Sequence, residues 1–270
     1  VVTIAEALRT GAARLEAVSE TPRLDAELLM AHAAGLNREQ LLLGNTDRPA
    51  PDGFDALIAR RLRHEPIAYI TGRKAFWTLD LHVSPAVLIP RPDSETLIEG
   101  AIAHFGAAVP RRILDLGTGS GALLLAALAH WPSARGTGID ASTAALEVAR
   151  GNTMQLGLAD RAGFALGGWQ GDAQADLILC NPPYIAEGET LPPSVAKYEP
   201  ASALFAGADG LADYRRIAAV LDFAPGGVAC IEIGATQADS AGALFAARGF
   251  TVSVRQDLAG LDRCLVLTRD

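Results

Sequence analysis

Cysteine, lysine and aromatic residues are all scarce in this chain of 270 residues. The three cysteines, Cys180, Cys230 and Cys264, lie far apart without CxxC spacing, which excludes a disulfide framework and a cysteine zinc site. A reducing, cytoplasmic setting fits them. Lysine occurs only at Lys74 and Lys197, and 23 basic residues against 31 acidic ones leave a net charge of −8. A protein that coats phosphate backbones is thereby disfavoured, and no stable nucleic-acid binding is expected. Aromatic residues make up 6% of the chain, too few for a base-stacking platform. The longest small-plus-apolar run, Gly121 to Ala129, falls far short of the ~18 residues that span a bilayer. The N-terminus also lacks a basic stretch followed by an apolar core, so a soluble, untargeted protein with no membrane partner is expected. His32, His64, His82, His104 and His130 are dispersed without metal-ligand spacing, and no metal site is expected.

What is present is an ordinary globular composition, half hydrophobic and a fifth charged, in a chain long enough for one large or two modest domains. Thr21 before Pro22 reads as an N-cap with proline at the first helical position, and Leu24, Leu28 and Ala31 share one face before Gly35. Similar stretches run from about Thr3 to Val18, Asn37 to Leu43 and Asp52 to Arg63, so the first part of the chain reads as a small helical bundle. From Trp77 the period changes to two: Trp77, Leu79, Leu81 and Val83 alternate with polar residues up to Pro85. With Val87 to Ile89 as a second strand, this predicts a connecting hairpin. Beyond Pro90, strands alternate with helices, the pattern of a mostly parallel α/β sheet. The strands are expected at Arg112 to Leu116, Ala134 to Ile139, Ala162 to Leu166, Asp176 to Cys180, Gly227 to Ile233, Thr251 to Val254 and Arg263 to Thr268.

The first of these strands runs into Gly117-Thr118-Gly119-Ser120-Gly121, a turn in which glycine lets the backbone approach a ligand, followed by a helix whose N-terminus offers unpaired N–H groups. Asp140 ends the next strand, where a carboxylate can accept from both hydroxyls of a ribose. Dinucleotide sites use GxGxxG, whereas glycines at 117, 119 and 121 with Asp115 before them tilt toward S-adenosylmethionine. Asp115 either helps to hold that ligand's ammonium or shapes the loop.

Asp176 to Cys180 is a buried-type strand ending in Asn181-Pro182-Pro183-Tyr184, at the sheet edge where α/β ligands gather. Two prolines stiffen the turn and leave the Asn181 side-chain oxygen and the Pro182 carbonyl as fixed acceptors for an NH2 group. Tyr184 can stack on a planar group beside them. Such a corner suits methyl transfer to a conjugated nitrogen, which is a poor nucleophile and must be oriented.

These residues resemble the class I methyltransferases that modify planar nitrogens, and among them the release-factor glutamine methyltransferases, the PrmC or HemK family. Pro22 to Leu29, Glu65 to Gly72 and Val87 to Glu95 look like that family's signatures. So do Tyr198-Glu199-Pro200, Asp209-Gly210-Leu211, Glu232-Ile233-Gly234 with Gln237, and Asp257 to Gly260 before Asp262-Arg263. The resemblance implies a Rossmann-like seven-stranded sheet of order 3-2-1-4-5-7-6. It implies three parts: a helical substrate-docking domain over 1–73, a β-hairpin linker over 74–90 and a methyltransferase domain over 91–270. It also implies methylation, by S-adenosylmethionine, of the glutamine amide in the Gly-Gly-Gln tripeptide of peptide chain release factors. S-adenosylhomocysteine would be the product.

Carried over, Gly117, Thr118, Gly119, Ser120, Gly121, Asp140, Trp169 and Asn181 would bind the cofactor, with Trp169 flanking its adenine. Asn181, Pro182, Pro183 and Tyr184 would hold the glutamine amide, with Asn181, Pro182 and Tyr184 serving catalysis. Gly168 departs from the pattern, since the family usually has an acid there; Asp172 either substitutes for it or plays no part. Adenine methylation of DNA or RNA shares the chemistry and is the alternative function, but the acidic balance and low aromatic content disfavour it. Arg60, Arg61, Arg63, Arg73, Lys74 and Arg91 form a basic stretch that is either a solvated face or a docking surface for an acidic partner.

Overall fold

The structure is a computed structural model and describes residues 2–269. The chain divides into two compact units: one is the chain through Arg73 together with Leu191–Tyr198, the other Lys74–Thr190 with the chain from Glu199 onward.

The first unit is helical. It contains α1 (Ile4–Leu15), α2 (Pro22–Ala33), α3 (Arg38–Leu43), α4 (Phe54–Leu62) and α5 (Ile67–Thr71) around a core that includes Leu8, Leu15, Leu29, Met30, Phe54 and Ile58. Thr3 and Glu6 form a capping box on α1, and Asn37 with Gln40 forms one on α3, each satisfying two otherwise orphan N–H groups. Thr21 differs from expectation, because it makes no cap bond and leans its hydroxyl on Asp25 at 3.4 Å. Asp25 is a buried hub that also accepts from Ser19 at 2.8 Å and from Arg61 Nε at 2.8 Å. Glu27, buried as well, takes Arg23 and Arg38.

A hairpin follows, β1 (Arg73–Phe76) and β2 (Leu79–His82), which belongs to the second unit from Lys74 onward. Its strands differ from those expected. Trp77 is not in a strand but in the two-residue turn between them, at φ 54°, the sign that primed hairpin turns require. Its N–H is held by Glu95 Oε1 at 2.8 Å. The alternation from Trp77 therefore runs through a turn, and the buried hairpin side chains are Phe76 and Leu81. Val87 to Ile89 is irregular and forms no strand.

After a 3₁₀ turn at Pro92–Ser94 come α6 (Glu95–Phe105), β3 (Arg112–Leu116), α7 (Ala122–His130), β4 (Arg135–Asp140), α8 (Thr143–Gln155), β5 (Ala162–Leu166) and β6 (Leu177–Cys180). The chain then supplies α9 (Pro193–Tyr198) to the first unit, where the Tyr198 hydroxyl donates to the Arg63 carbonyl at 3.0 Å. It continues through α10 (Ala212–Val220), β7 (Val228–Glu232), α11 (Ala238–Ala246), β8 (Thr251–Gln256) and β9 (Asp262–Thr268). The seven strands lie in the order β5-β4-β3-β6-β7-β9-β8, parallel except for β9, which runs antiparallel to both neighbours. With the hairpin strands set aside, this is the expected 3-2-1-4-5-7-6 order.

The central strands are buried on both faces, so they read as continuous apolar runs. Their alternation still sorts side chains between two cores. Leu177 and Leu179 join α7 on one face, while Ile178 and Cys180 join Tyr214 and Phe245 on the other. Among the described residues no helix is long and apolar enough to cross a membrane. All three cysteines are free and buried.

Candidate active site

Leu116 and Cys180, the last residues of β3 and β6, are register partners, so the loops that follow leave the sheet side by side at its carboxyl edge. Here β3 has β4 on one side and β6 on the other, the switch point at which α/β folds open a crevice. The crevice is a cavity of about 560 Å³, within the ~300–1,000 Å³ usual for small-molecule sites.

The glycine loop forms one wall. Gly117 and Thr118 continue the ladder by donating to the Ile139 carbonyl, both at 2.9 Å. Gly117 has φ 70°, and a Cβ there would lie 3.1 Å from the Trp169 ring, so glycine is required both by conformation and by space. The Thr118 hydroxyl donates to Asp115 Oδ2 at 2.5 Å, and the Leu124 N–H reaches the same oxygen at 3.3 Å. Asp115 Oδ2 thus ties the loop to the first turn of α7. Its Oδ1 is buried without a partner, and burial pushes its carboxyl up to about 7.

Asp140 stands across from the loop, half-buried. Its Oδ2 accepts from Gly119 N at 2.9 Å and its Oδ1 from Ser142 N at 2.8 Å. Each oxygen keeps a further lone pair, and the residue lines the cavity. Ser142, not Asp140, caps α8, accepting from Ala145 N at 3.2 Å. Trp169 walls the cavity with its indole N–H donated to Asp213 Oδ1 at 3.0 Å. Gly168 lies beside it and brings no side chain. Asp172 does not line the cavity, and its Oδ1 accepts from Gln174 N at 2.9 Å within its own turn.

Of the second corner, Asn181 and Pro183 line the cavity, whereas Pro182 and Tyr184 do not. Asn181 Nδ2 donates to Ser94 Oγ at 3.1 Å, which leaves Oδ1 as its unused acceptor. The Tyr184 hydroxyl donates to Glu232 Oε1 at 3.2 Å, and its burial raises the phenol above its ordinary range. Gln237 braces the corner from below: its Nε2 donates to the Tyr184 carbonyl at 3.0 Å while its Oε1 accepts from Gly234 N at 3.0 Å. Cys180 abuts the site with a thiol that burial pushes well above its ordinary value.

Four functional contacts come from residues whose contacts are not apparent from sequence. Ser94, Asp213 and Glu232 are described above. Asn152, fully buried in α8, accepts from His82 N at 2.7 Å and donates to the carbonyls of His82 at 3.0 Å and Ser120 at 2.9 Å. It fastens the hairpin to the glycine loop. The available signal was an acid closing an apolar run, Glu232 at the end of Val228-Ala229-Cys230-Ile231. Three of the six residues of the basic stretch, by contrast, are occupied in ion pairs. Arg60 grips Glu65 with two nitrogens at 2.5 and 2.9 Å, Arg61 is bound to Asp25, and Arg91 pairs with buried Glu199. Among the described residues no cluster of His, Cys, Asp or Glu is placed to hold a metal ion.

The cradle suits a ligand with a nucleoside at one end: an open glycine backbone, a carboxylate with lone pairs to spare and an aromatic wall share one cavity. Beside it sits a stiff corner that offers acceptors. Comparison with known proteins agrees with this arrangement. Residues 6–72 match the family model of the PrmC N-terminal domain, and residues 94–201 match that of the methyltransferase small domain. Among solved structures, the hMettl16 catalytic domain in complex with MAT2A 3′UTR hairpin 1 has a TM-score of 0.58 at 15% identity, covering 88% of this chain and 90% of that one. A methyltransferase from Pyrococcus furiosus has a TM-score of 0.52 at 18% identity, covering 77% and 95%. These are likenesses of fold.

Curated relatives are far more similar. The release factor glutamine methyltransferase of Rhodospirillum rubrum is 43% identical, over 97% of this chain and 84% of its own. That of Caulobacter vibrioides is 40% identical, over 92% and 89%. That of Mycolicibacterium smegmatis is 41% identical, over 92% and 91%. With identity of this order along nearly the whole length of each, the chain belongs to the release factor glutamine methyltransferase family.

Proposed function

We propose that this chain methylates the side-chain amide nitrogen of the glutamine in the Gly-Gly-Gln tripeptide of a peptide chain release factor, using S-adenosylmethionine and releasing S-adenosylhomocysteine. The substrate follows from the relatives, which are named for release factor glutamine. The observation in the structure that supports the chemistry is the adjacency of the glycine-loop cavity and the Asn181–Tyr184 corner at paired strand ends.

S-adenosylmethionine, when bound, supplies an electrophilic methyl group. The backbone of Gly117, Thr118, Gly119, Ser120 and Gly121 would hold its amino-acid end, Asp140 its ribose, Trp169 its adenine, with Asn181 at the junction of both ligands. An amide nitrogen is a weak nucleophile because its lone pair is delocalised into the carbonyl. Asn181 Oδ1 and the Pro182 carbonyl would accept its two N–H hydrogens and aim the nitrogen, while Pro183 and Tyr184 confine the amide plane. Orientation of this kind supplies up to ~7–11 kcal/mol without a general base. The nitrogen grows acidic as its conjugation is lost, and its proton passes to one of those oxygens or to water.

The test is to incubate the protein with methyl-labelled S-adenosylmethionine and, in parallel, release factor, ribosomal protein and oligonucleotides. Label on the release factor's glutamine, abolished in Asn181→Ala, is the expected result. Label confined to nucleic acid would overturn the reading.

A further inference from the structure

Glu232 ends β7 with a side chain only 1% exposed, a costly place for a carboxylate. Its Oε1 accepts from the Tyr184 hydroxyl at 3.2 Å, its Oε2 is buried without a partner, and the nearby Ser94 hydroxyl favours its charged form. Ser94 is itself buried, and its Oγ accepts from Asn181 Nδ2 at 3.1 Å. One acid therefore stands behind both Asn181 and Tyr184.

The direction of these bonds matters. A serine hydroxyl has one hydrogen and two lone pairs, and a carboxylate only accepts. Next to a charged Glu232, the Ser94 hydrogen turns toward the acid and a lone pair remains for Asn181 Nδ2. With Nδ2 held, Oδ1 is the end of the Asn181 amide that is left for the cavity. If the acid is neutral, Ser94 is free to donate to Asn181 instead. The amide can then turn over and present N–H groups to the very NH2 it has to accept from.

We propose that Glu232 is a positioning residue for the methyl-accepting amide: through Ser94 it keeps the Asn181 oxygen toward the cavity, and through the Tyr184 hydroxyl it fixes the neighbouring ring. This rests on, and deepens, the glutamine-amide reading above. The groups facing Glu232 are Asp93 and Ser94 from the 3₁₀ turn, Cys180 at the end of β6 and Tyr184 after it, Tyr214 of α10, and Arg263 and Cys264 of β9. Burial outweighs the nearby Ser94 hydroxyl, the Arg263 charge and the Tyr184 hydrogen bond, pushing the Glu232 carboxyl up to about 7. The charged form that the positioning requires grows in as pH rises through that value, so turnover on the protein substrate should climb over the same range.

The experiment compares wild type, Glu232→Gln, Ser94→Ala, Ser94→Thr and the Glu232→Gln/Ser94→Ala double variant. It measures kcat and KM on release factor against pH, S-adenosylhomocysteine affinity by calorimetry, and the thermal midpoint. Expected are a ~10- to 100-fold fall in kcat for Glu232→Gln and Ser94→Ala, with S-adenosylhomocysteine affinity within about twofold of wild type. The acid limb near pH 7 should vanish in Glu232→Gln. Ser94→Thr, which keeps the hydroxyl, should recover most of the rate, and the double variant should be no slower than the slower single one, as for two parts of one device. Normal kcat in Glu232→Gln, or losses that multiply in the double variant, would overturn the inference while leaving the glutamine reading intact. If Glu232→Gln does not fold, Ser94→Ala against Ser94→Thr makes the same comparison, and equal rates for those two sink it. A wild-type protein that leaves the glutamine unlabelled fails the underlying reading and takes the positioning role with it.

Discussion

The indole nitrogen of Trp169 donates to Asp213 Oδ1 at 3.0 Å, across 44 positions of sequence. The ring that walls the cavity thus takes its plane from a buried carboxylate on α10, which also pairs with Arg216 at 3.0 Å. Asp213→Ala would leave the indole N–H without its acceptor, a cost of ~1–3 kcal/mol. Affinity for S-adenosylhomocysteine, read by calorimetry, should fall by about tenfold with the fold retained. Asp213→Asn, which keeps an acceptor oxygen, should lose less. Equal affinities for wild type and Asp213→Ala would show that the ring is held by packing alone.

Gly117→Ala should weaken the same ligand more severely than stability alone explains. The alanine must adopt φ 70° and place its Cβ 3.1 Å from the Trp169 ring. Gly53→Ala is the control, left-handed at φ 91° but with nothing within 4 Å of the added Cβ. Both should lose ~1–2 kcal/mol of stability from the left-handed backbone, and only Gly117→Ala should lose ligand affinity as well. Similar affinities in the two would mean that the Trp169 contact is not limiting.

Asn152→Ala deletes three hydrogen bonds at a site with no access to water. A loss of at least ~2 kcal/mol is expected, since the His82 N–H and two carbonyls lose their side-chain partner. Urea unfolding measures it. Asn152→Asp should be worse still, because a carboxylate would then face the carbonyls of His82 and Ser120.

Arg61→Ala should destabilise the helical unit by ~3 kcal/mol, since it leaves the buried Asp25 without its cation. Arg63 is exposed, and Arg63→Glu should leave the unfolding midpoint unchanged. The two variants separate scaffold from surface. A raised KM for release factor in Arg63→Glu, with normal stability, would mark that arginine as part of a docking face.

Asp115 should make the protein less stable as pH rises. Its carboxyl is raised from 3.8 to about 7, so between those values the folded state holds a proton that the unfolded chain has released. Stability therefore falls across that window, the reverse of the usual salt-bridged acid. The thermal midpoint of wild type should drop more from about pH 5 to about pH 8 than that of Asp115→Asn. Parallel curves would exclude the linkage.

The parts of the site that were legible in sequence are those carried by contiguous segments. Gly117 to Gly121 and Asn181 to Tyr184 are local turns at the ends of apolar strands, and their residue types state their geometry. Asp140 was visible because it ends the adjacent strand. Ser94, Asn152, Asp213 and Glu232 reach the site through partners 44 or more positions away along the chain. Chain spacing carries no trace of such pairs. The hairpin shows the opposite failure: Trp77 continues a perfect alternation, yet a positive φ puts it in the turn, because strand periodicity does not register where the chain reverses.

The segment Leu191–Tyr198 gives the molecule an unusual covalent wiring. The polypeptide changes unit three times, after Arg73, after Thr190 and after Tyr198. Removing everything before Lys74 would therefore not yield a clean catalytic fragment. It would strand α9 without the helices it packs with, only a few residues downstream of Tyr184. In terms of modular architecture, the helical unit is not a detachable prefix, because one of its helices comes from a segment that interrupts the other unit's chain. A recombinant or evolutionary exchange of one would have to carry an internal stretch of the other along with it.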